Sequence, residues 1–142
     1  MVSLLITGHG KFSEGLYSSL KMVVGVNDNI QYVNFIEGES SESLKEKLKK
    51  TINNLLKTSE QVICLTDVKG GTPFRLCCEI SLENGNVMVM AGANIPLLFH
   101  LTEEMEDNNT FDFSKEALEN SKDDICIFEF KKREEAEEED GI

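Results

Sequence analysis

Short apolar runs alternate with amphipathic stretches along almost the whole chain. Residues 2–7 form an apolar run of strand length, and residues 13–24 place Leu16, Leu20, Val23 and Val24 at helical spacing, with Gly25 just past the end as a stop. Residues 30–36 are β-branched and aromatic on both alternating sets, Ile30, Tyr32, Asn34 and Ile36 against Gln31, Val33 and Phe35, which predicts a strand buried on both sides. Ser40 and Ser41 offer caps for a helix whose stripe is Leu44, Leu48, Ile52 and Leu55. Residues 61–66 give a third strand, Thr72-Pro73 opens a helix to about Leu82, Asn84-Gly85 turns the chain, and residues 87–91 give a fourth buried strand. Asn94-Ile95-Pro96 starts another helix, with Pro in its first turn. Beyond Glu103 the pattern weakens to a polar loop, a short helix over 113–120 and a final strand over 125–130.

Four strands, each followed by a helix, predict an α/β domain: a doubly wound, mostly parallel sheet with helices on both faces. Right-handed crossovers leave few topologies, and the common order is 2-1-3-4. In that order strands one and three are neighbours from which the chain winds away in opposite directions. Ligands of open α/β sheets bind at this switch point, beyond the carboxyl ends of the strands.

Composition narrows the function more than the fold. The net charge of −12 argues against binding a nucleic-acid backbone and favours a basic protein partner. Part of it is local, in REEAEEED near the end, so the chain divides into one domain over 1–130 and an acidic tail over 131–142. Cys64, Cys77, Cys78 and Cys126 show neither CxxC nor a His/Cys ligand spacing, and read as reduced, mostly buried hydrophobes. With no basic leader, no cleavage site and no apolar run near membrane-spanning length, the chain reads as cytoplasmic.

The candidate chemistry sits at two turns. His9, between Gly8 and Gly10, is where a buried strand emerges into water. Asp67 ends the third strand in LTDVKGGTPF. With strands one and three adjacent, the carboxylate lies beside the imidazole and fixes its tautomer, preparing the free nitrogen as nucleophile or base. After Asp67 come Lys69, Gly70, Gly71 and Thr72: glycines permit close backbone approach, and the helix start presents unpaired N–H groups to an anion. Thr72 is placed to cap that helix or to point its hydroxyl into the site, while Lys69 reads as a solvated side chain. The set needs neither a metal nor a cofactor. His100, in the helix IPLLFHL, has no partner in view and reads as structural.

The stretches ITGHGKFSEGL, VNFIEGES, LTDVKGGTPF and VMAGANIPLL, in this order and spacing, resemble the mannose-type enzyme IIA family of the sugar phosphotransferase system over residues 1–104. The resemblance implies that His9 is phosphorylated by the phosphocarrier protein HPr. It further implies that the phosphoryl group passes to a IIB component and so to sugar imported through membrane IIC and IID subunits. Asp67 takes the position of the family's orienting aspartate, and Thr72 that of the hydroxyl residue near the phosphoryl group, with Gly70 and Gly71 in the phosphate cradle. The resemblance also implies a homodimer that exchanges an antiparallel C-terminal strand, for which residues 125–130 are the candidate. Two alternatives share the fold: a phosphotransfer subunit of dihydroxyacetone kinase, and a regulatory module that keeps its phosphate.

Overall fold

The computed structural model describes residues 1–132, so the acidic run 133–140 lies outside the described residues. Its centre is β1 (Val2–His9), in which every position from Val2 to Gly8 is buried and only His9 is exposed. Such a strand needs a neighbour on each side and a layer on each face. It pairs in parallel with β2 (Ile30–Phe35) on one side and β3 (Gln61–Thr66) on the other, and β4 (Val87–Met90) extends the sheet beyond β3. The order is β2-β1-β3-β4, as the element pattern predicts.

Alternate residues of one strand point to opposite faces, and the two cores follow that rule. Leu4 and Ile6 of β1, with Ile63 and Leu65 of β3, meet Leu20 of α1 (Phe12–Val23) and Leu97, Leu98 and Leu101 of α4 (Ile95–Glu104). On the other face Leu5, Val62 and Cys64 meet Leu44, Leu48 and Ile52 of α2 (Ser41–Leu55) and Leu76, Cys77 and Ile80 of α3 (Thr72–Glu83). Each aliphatic side chain so buried contributes roughly 1.5–3 kcal/mol, and the two layers together hold the β1–β3 seam rigid. Ser40 caps α2 by accepting from the Ser43 N–H, and Asn94 caps α4 by accepting from the Leu97 N–H.

Four expectations change. The second strand is a sheet edge, not a strand buried on both sides: Ile30 and Val33 are buried, but Tyr32 is exposed and the rest are intermediate. The fourth strand is the other edge, with only Val87 fully buried. On α1, Val23 and Val24 face outward at 57% and 39% exposure, because the helix presents only a narrow stripe to β1 and α4. Residues 125–130 pair with no strand among the described residues; they follow α5 (Ser114–Lys122) without regular secondary structure, with Ile127, Phe128 and Phe130 solvent-facing. The helix expected over 113–120 is present as α5, entered through a 3₁₀ turn at Phe111–Phe113. Of the cysteines, Cys64 and Cys77 are buried, Cys78 is intermediate and Cys126 is exposed.

Candidate phosphoryl-transfer site

β1 and β3 end side by side, Thr7 opposite Thr66. The next residues of each strand are therefore delivered to one spot. Asp67 Oδ2 accepts two hydrogen bonds from His9: one from its backbone N–H at 2.8 Å, the other at Nδ1, 2.7 Å away. A carboxylate accepts only, so Nδ1 carries the proton and Nε2 keeps its lone pair. The His9 side chain is 51% exposed and that of Asp67 15%: the imidazole faces outward and the carboxylate lies behind it.

Burial pushes the Asp67 pKa up. The His9 backbone N–H, the His9 ring, the Val68 N–H and the His9 charge outweigh it and hold the carboxyl below its ordinary value. Asp67 is therefore ionised at neutral pH, as the tautomer assignment requires. Its other oxygen, Oδ1, is buried and accepts no hydrogen bond among the described residues.

Two glycines are dictated by space. A β-carbon at Gly8 would stand 2.9 Å from Asp67 Cγ and 2.6 Å from a ring atom of Phe12. One at Gly71 would stand 2.8 Å from His9 Cε1. Cε1 is bonded to both ring nitrogens, so the loop before α3 lies against the nitrogen-bearing end of the imidazole. Gly71, not Thr72, is the residue that caps α3, and no side chain bonds the helix start. The N–H groups of Gly70, Thr72 and Phe74 find no protein acceptor among the described residues, and Pro73 has no N–H to give. These donors stand at the positive end of the helix dipole, an arrangement chemically suited to an anion. Gly71→Ala is expected to displace the ring and slow phosphoryl acceptance about tenfold or more, while the far-ultraviolet circular dichroism stays unchanged. An unaltered rate would show that the close contact does not matter.

On the opposite flank the ring of Phe35 lies 5.9 Å from the imidazole, tilted by 55°. A hollow of about 280 Å³ is lined by His9, Gly10, Phe35, Ile36, Glu37 and Gly38. A larger one, about 390 Å³, lies by the start of β2 among residues including Val26, Asn29, Thr102 and Glu106. It is remote from His9 and holds no nucleophile.

Comparison with known proteins agrees with this geometry. Residues 3–121 match the mannose-type enzyme IIA family, described as the PTS system fructose IIA component. The chain belongs to that family. It is 33% identical over 101 residues to the fructose-specific EIIA component of Bacillus subtilis, covering 71% of this chain and 68% of that one. It is 32% identical over 111 residues to the mannose-specific EIIAB component of Escherichia coli K12, covering 78% of this chain but only 34% of the relative's length. A crystal structure of the EIIA component from Streptococcus agalactiae superposes with a TM-score of 0.81 at 27% identity, covering 90% of this chain and 98% of that one.

The IIA fold brings His9, Asp67 and Gly71 into contact, and Thr72 follows Gly71 directly; the Thr72 hydroxyl makes no hydrogen bond among the described residues. Lys69 is exposed in the same loop and forms no ion pair among them. His100 is not without partners: its Nε2 lies 3.0 Å from Asp124 Oδ2, and its Nδ1 3.7 Å from Glu103. This ties α4 to the end of α5, away from His9. Among the described residues no helix is long and apolar enough to cross a membrane. No motif marks Phe35 as a neighbour of His9. The strand order would have supplied it, because β2 next to β1 carries its last residue to the side of His9.

Proposed function

We propose that this IIA component is a phosphohistidine relay. His9 accepts the phosphoryl group from phosphorylated HPr and passes it to a IIB component, which phosphorylates sugar entering through the IIC and IID subunits. The single observation carrying this reading is the paired contact of His9 with Asp67 Oδ2, which leaves Nε2 outward and unprotonated.

The chemistry follows from that tautomer. The Nε2 lone pair attacks phosphorus in line, an N–P bond forms on His9, and the N–P bond of the donor histidine breaks with its electron pair leaving on the donor ring. His9 keeps its Nδ1 proton throughout, so its ring becomes a phosphorylated cation. Asp67 stabilises that charge from 2.7 Å. Attack by the IIB nucleophile returns the ring to neutrality with no proton moved, which suits a carrier that must run equally well in both directions. Thr72 and the N–H groups of Gly70, Thr72 and Phe74 face the equatorial oxygens.

The half-exposed His9 side chain favours a reacting group presented on a protein surface. The acidic surface of this chain suits a basic one on HPr. The relay unit is residues 1–130 of a cytoplasmic protein. The solvent-facing Ile127, Phe128 and Phe130 support exchange of that segment within a homodimer.

The test is transfer of a radiolabelled phosphoryl group from HPr. Label is expected on this chain, acid-labile as a phosphoramidate is, and is expected to discharge onto a IIB component, whose identity then names the sugar. Discharge only onto dihydroxyacetone kinase subunits, or onto nothing, would replace the reading with one of the two alternatives.

A further inference from the structure

Asp67 secures one side of the His9 ring; a second, mostly covered carboxylate braces the wall on the other. The loop between β2 and α2 carries Ile36, Glu37 and Gly38, which with Phe35 wall the hollow beside His9. At its end stands Glu39, whose side chain is 11% exposed. Oε1 accepts from the Ile36 N–H at 3.0 Å, while the Glu39 N–H donates to the Ile36 carbonyl at 2.9 Å, closing the loop on itself. Oε2 accepts from Ser43 Oγ at 2.7 Å, on the first turn of α2.

Lys47, one turn further along α2, completes the clamp. Its Nζ lies 2.9 Å from Glu39 Oε2, donates to Oε1 at 3.1 Å, and donates to the Asn34 carbonyl at 2.9 Å. Asn34 is itself held: its side chain accepts from Ser13 Oγ and donates to Glu14, both on α1. Between Asn34 and Ile36 lies Phe35, whose carbonyl accepts from the Gly10 N–H at 2.7 Å. The residue whose ring flanks His9, and whose backbone grips the residue after His9, is thus pinned on both sides by one ion pair.

We propose that Glu39, through its pair with Lys47, is a positioning residue for phosphoryl transfer. It fixes Phe35 and Ile36 as the second wall of the His9 imidazole, so that Nε2 is held in line as Asp67 alone would not hold it. A loop needing only to turn would not bury a carboxylate, because burial of an ion costs free energy unless every partner is in place. Here the partners are in place: burial pushes the Glu39 pKa up, but Lys47, Ser43 and the Ile36 N–H hold it below its ordinary value. Glu39 touches neither the imidazole nor its cargo; it works through Phe35.

The proposal rests on His9 being the phosphoryl acceptor, and the experiment separates the two. In the full chain, label from phosphorylated HPr is followed to completion and at initial rate for wild type, Glu39→Gln and Lys47→Met. The ¹⁵N shifts and tautomer of the His9 ring are read by NMR on the same samples. Full final labelling of all three upholds the acceptor; its absence in wild type defeats that reading alone.

Lys47→Met leaves the Ile36 and Ser43 bonds to Glu39 intact and guards against a fold artefact. Both variants are expected to slow transfer about tenfold in kcat, with KM for HPr little changed and the His9 ring shifts moved. Unmoved ring shifts with wild-type rates would overturn the proposal. So would a slowing confined to KM, which would make the loop a docking element only.

Discussion

Replacing His9 by alanine is expected to abolish phosphoryl acceptance from phosphorylated HPr while leaving the fold in place. The loss is total because, among the described residues, no other imidazole or thiol stands at this sheet edge. The N–H groups of Gly70, Thr72 and Phe74 are donors only, and Asp67, its carboxyl ionised, is turned toward His9. The fold persists because the bond that aligns the β1 and β3 ends is partly a backbone bond. The residue-9 N–H still donates to Asp67 Oδ2 when the side chain is gone, and a half-exposed imidazole contributes little to the core. The measurement is label incorporation beside a urea denaturation curve. Label bound normally by the His9→Ala variant would remove His9 from the mechanism. A variant that has lost its cooperative transition would instead make the imidazole a structural element.

The sequence made this edge readable for a specific reason. Strand order follows from the alternation of elements and the handedness of crossovers, and once β1 and β3 are neighbours, their terminal residues His9 and Asp67 must meet. Periodicity is also a reliable guide where a helix covers a sheet with one stripe: Leu44, Leu48, Ile52 and Leu55 are all buried. It fails at edges. Ile30–Phe35 has the composition of a central strand, but composition carries no information about whether a fifth strand lies alongside. It fails likewise at Val23 and Val24, where helical spacing continues past the length of α1 that the sheet covers.

Pairings between distant charged residues were hidden for a different reason. His100 and Asp124 are 24 positions apart on elements whose mutual packing no local pattern encodes. Glu39 and Lys47 are eight apart, too far for the usual helical neighbours; they meet because Glu39 lies ahead of α2 and its loop folds back over the first turns. Thr72 looked like the helix cap because its type prefers that position. Gly71 takes the cap instead, since only a residue without a β-carbon fits beneath the His9 ring. In each case a tertiary contact decides what propensity leaves open.

Asp67→Asn is the more informative substitution, because shape is kept and only acceptor chemistry changes. Both His9 bonds land on Oδ2, so an amide oxygen placed there still accepts from the N–H and from Nδ1, while the NH₂ group takes the buried Oδ1 position. The ring keeps its tautomer but loses the negative charge that would stabilise the phosphorylated, cationic imidazole. A fall of roughly 10²-fold in the transfer rate is expected from the loss of that charge, with the His9 ¹⁵N shifts moved by the weaker acceptor.

The pH dependence carries its own sign. The folded-state pKa of Asp67 lies below its ordinary 3.8, so the folded protein binds fewer protons there than the unfolded chain. The contact therefore stabilises the fold above that ordinary value, and the stabilisation is lost as pH falls through the lower folded pKa. Denaturation curves of wild type and Asp67→Asn should accordingly differ at neutral pH and draw together in acid. Equal transfer rates for the two proteins, or a stability difference that widens as pH falls, would show that Asp67 neither orients His9 nor stabilises its charge.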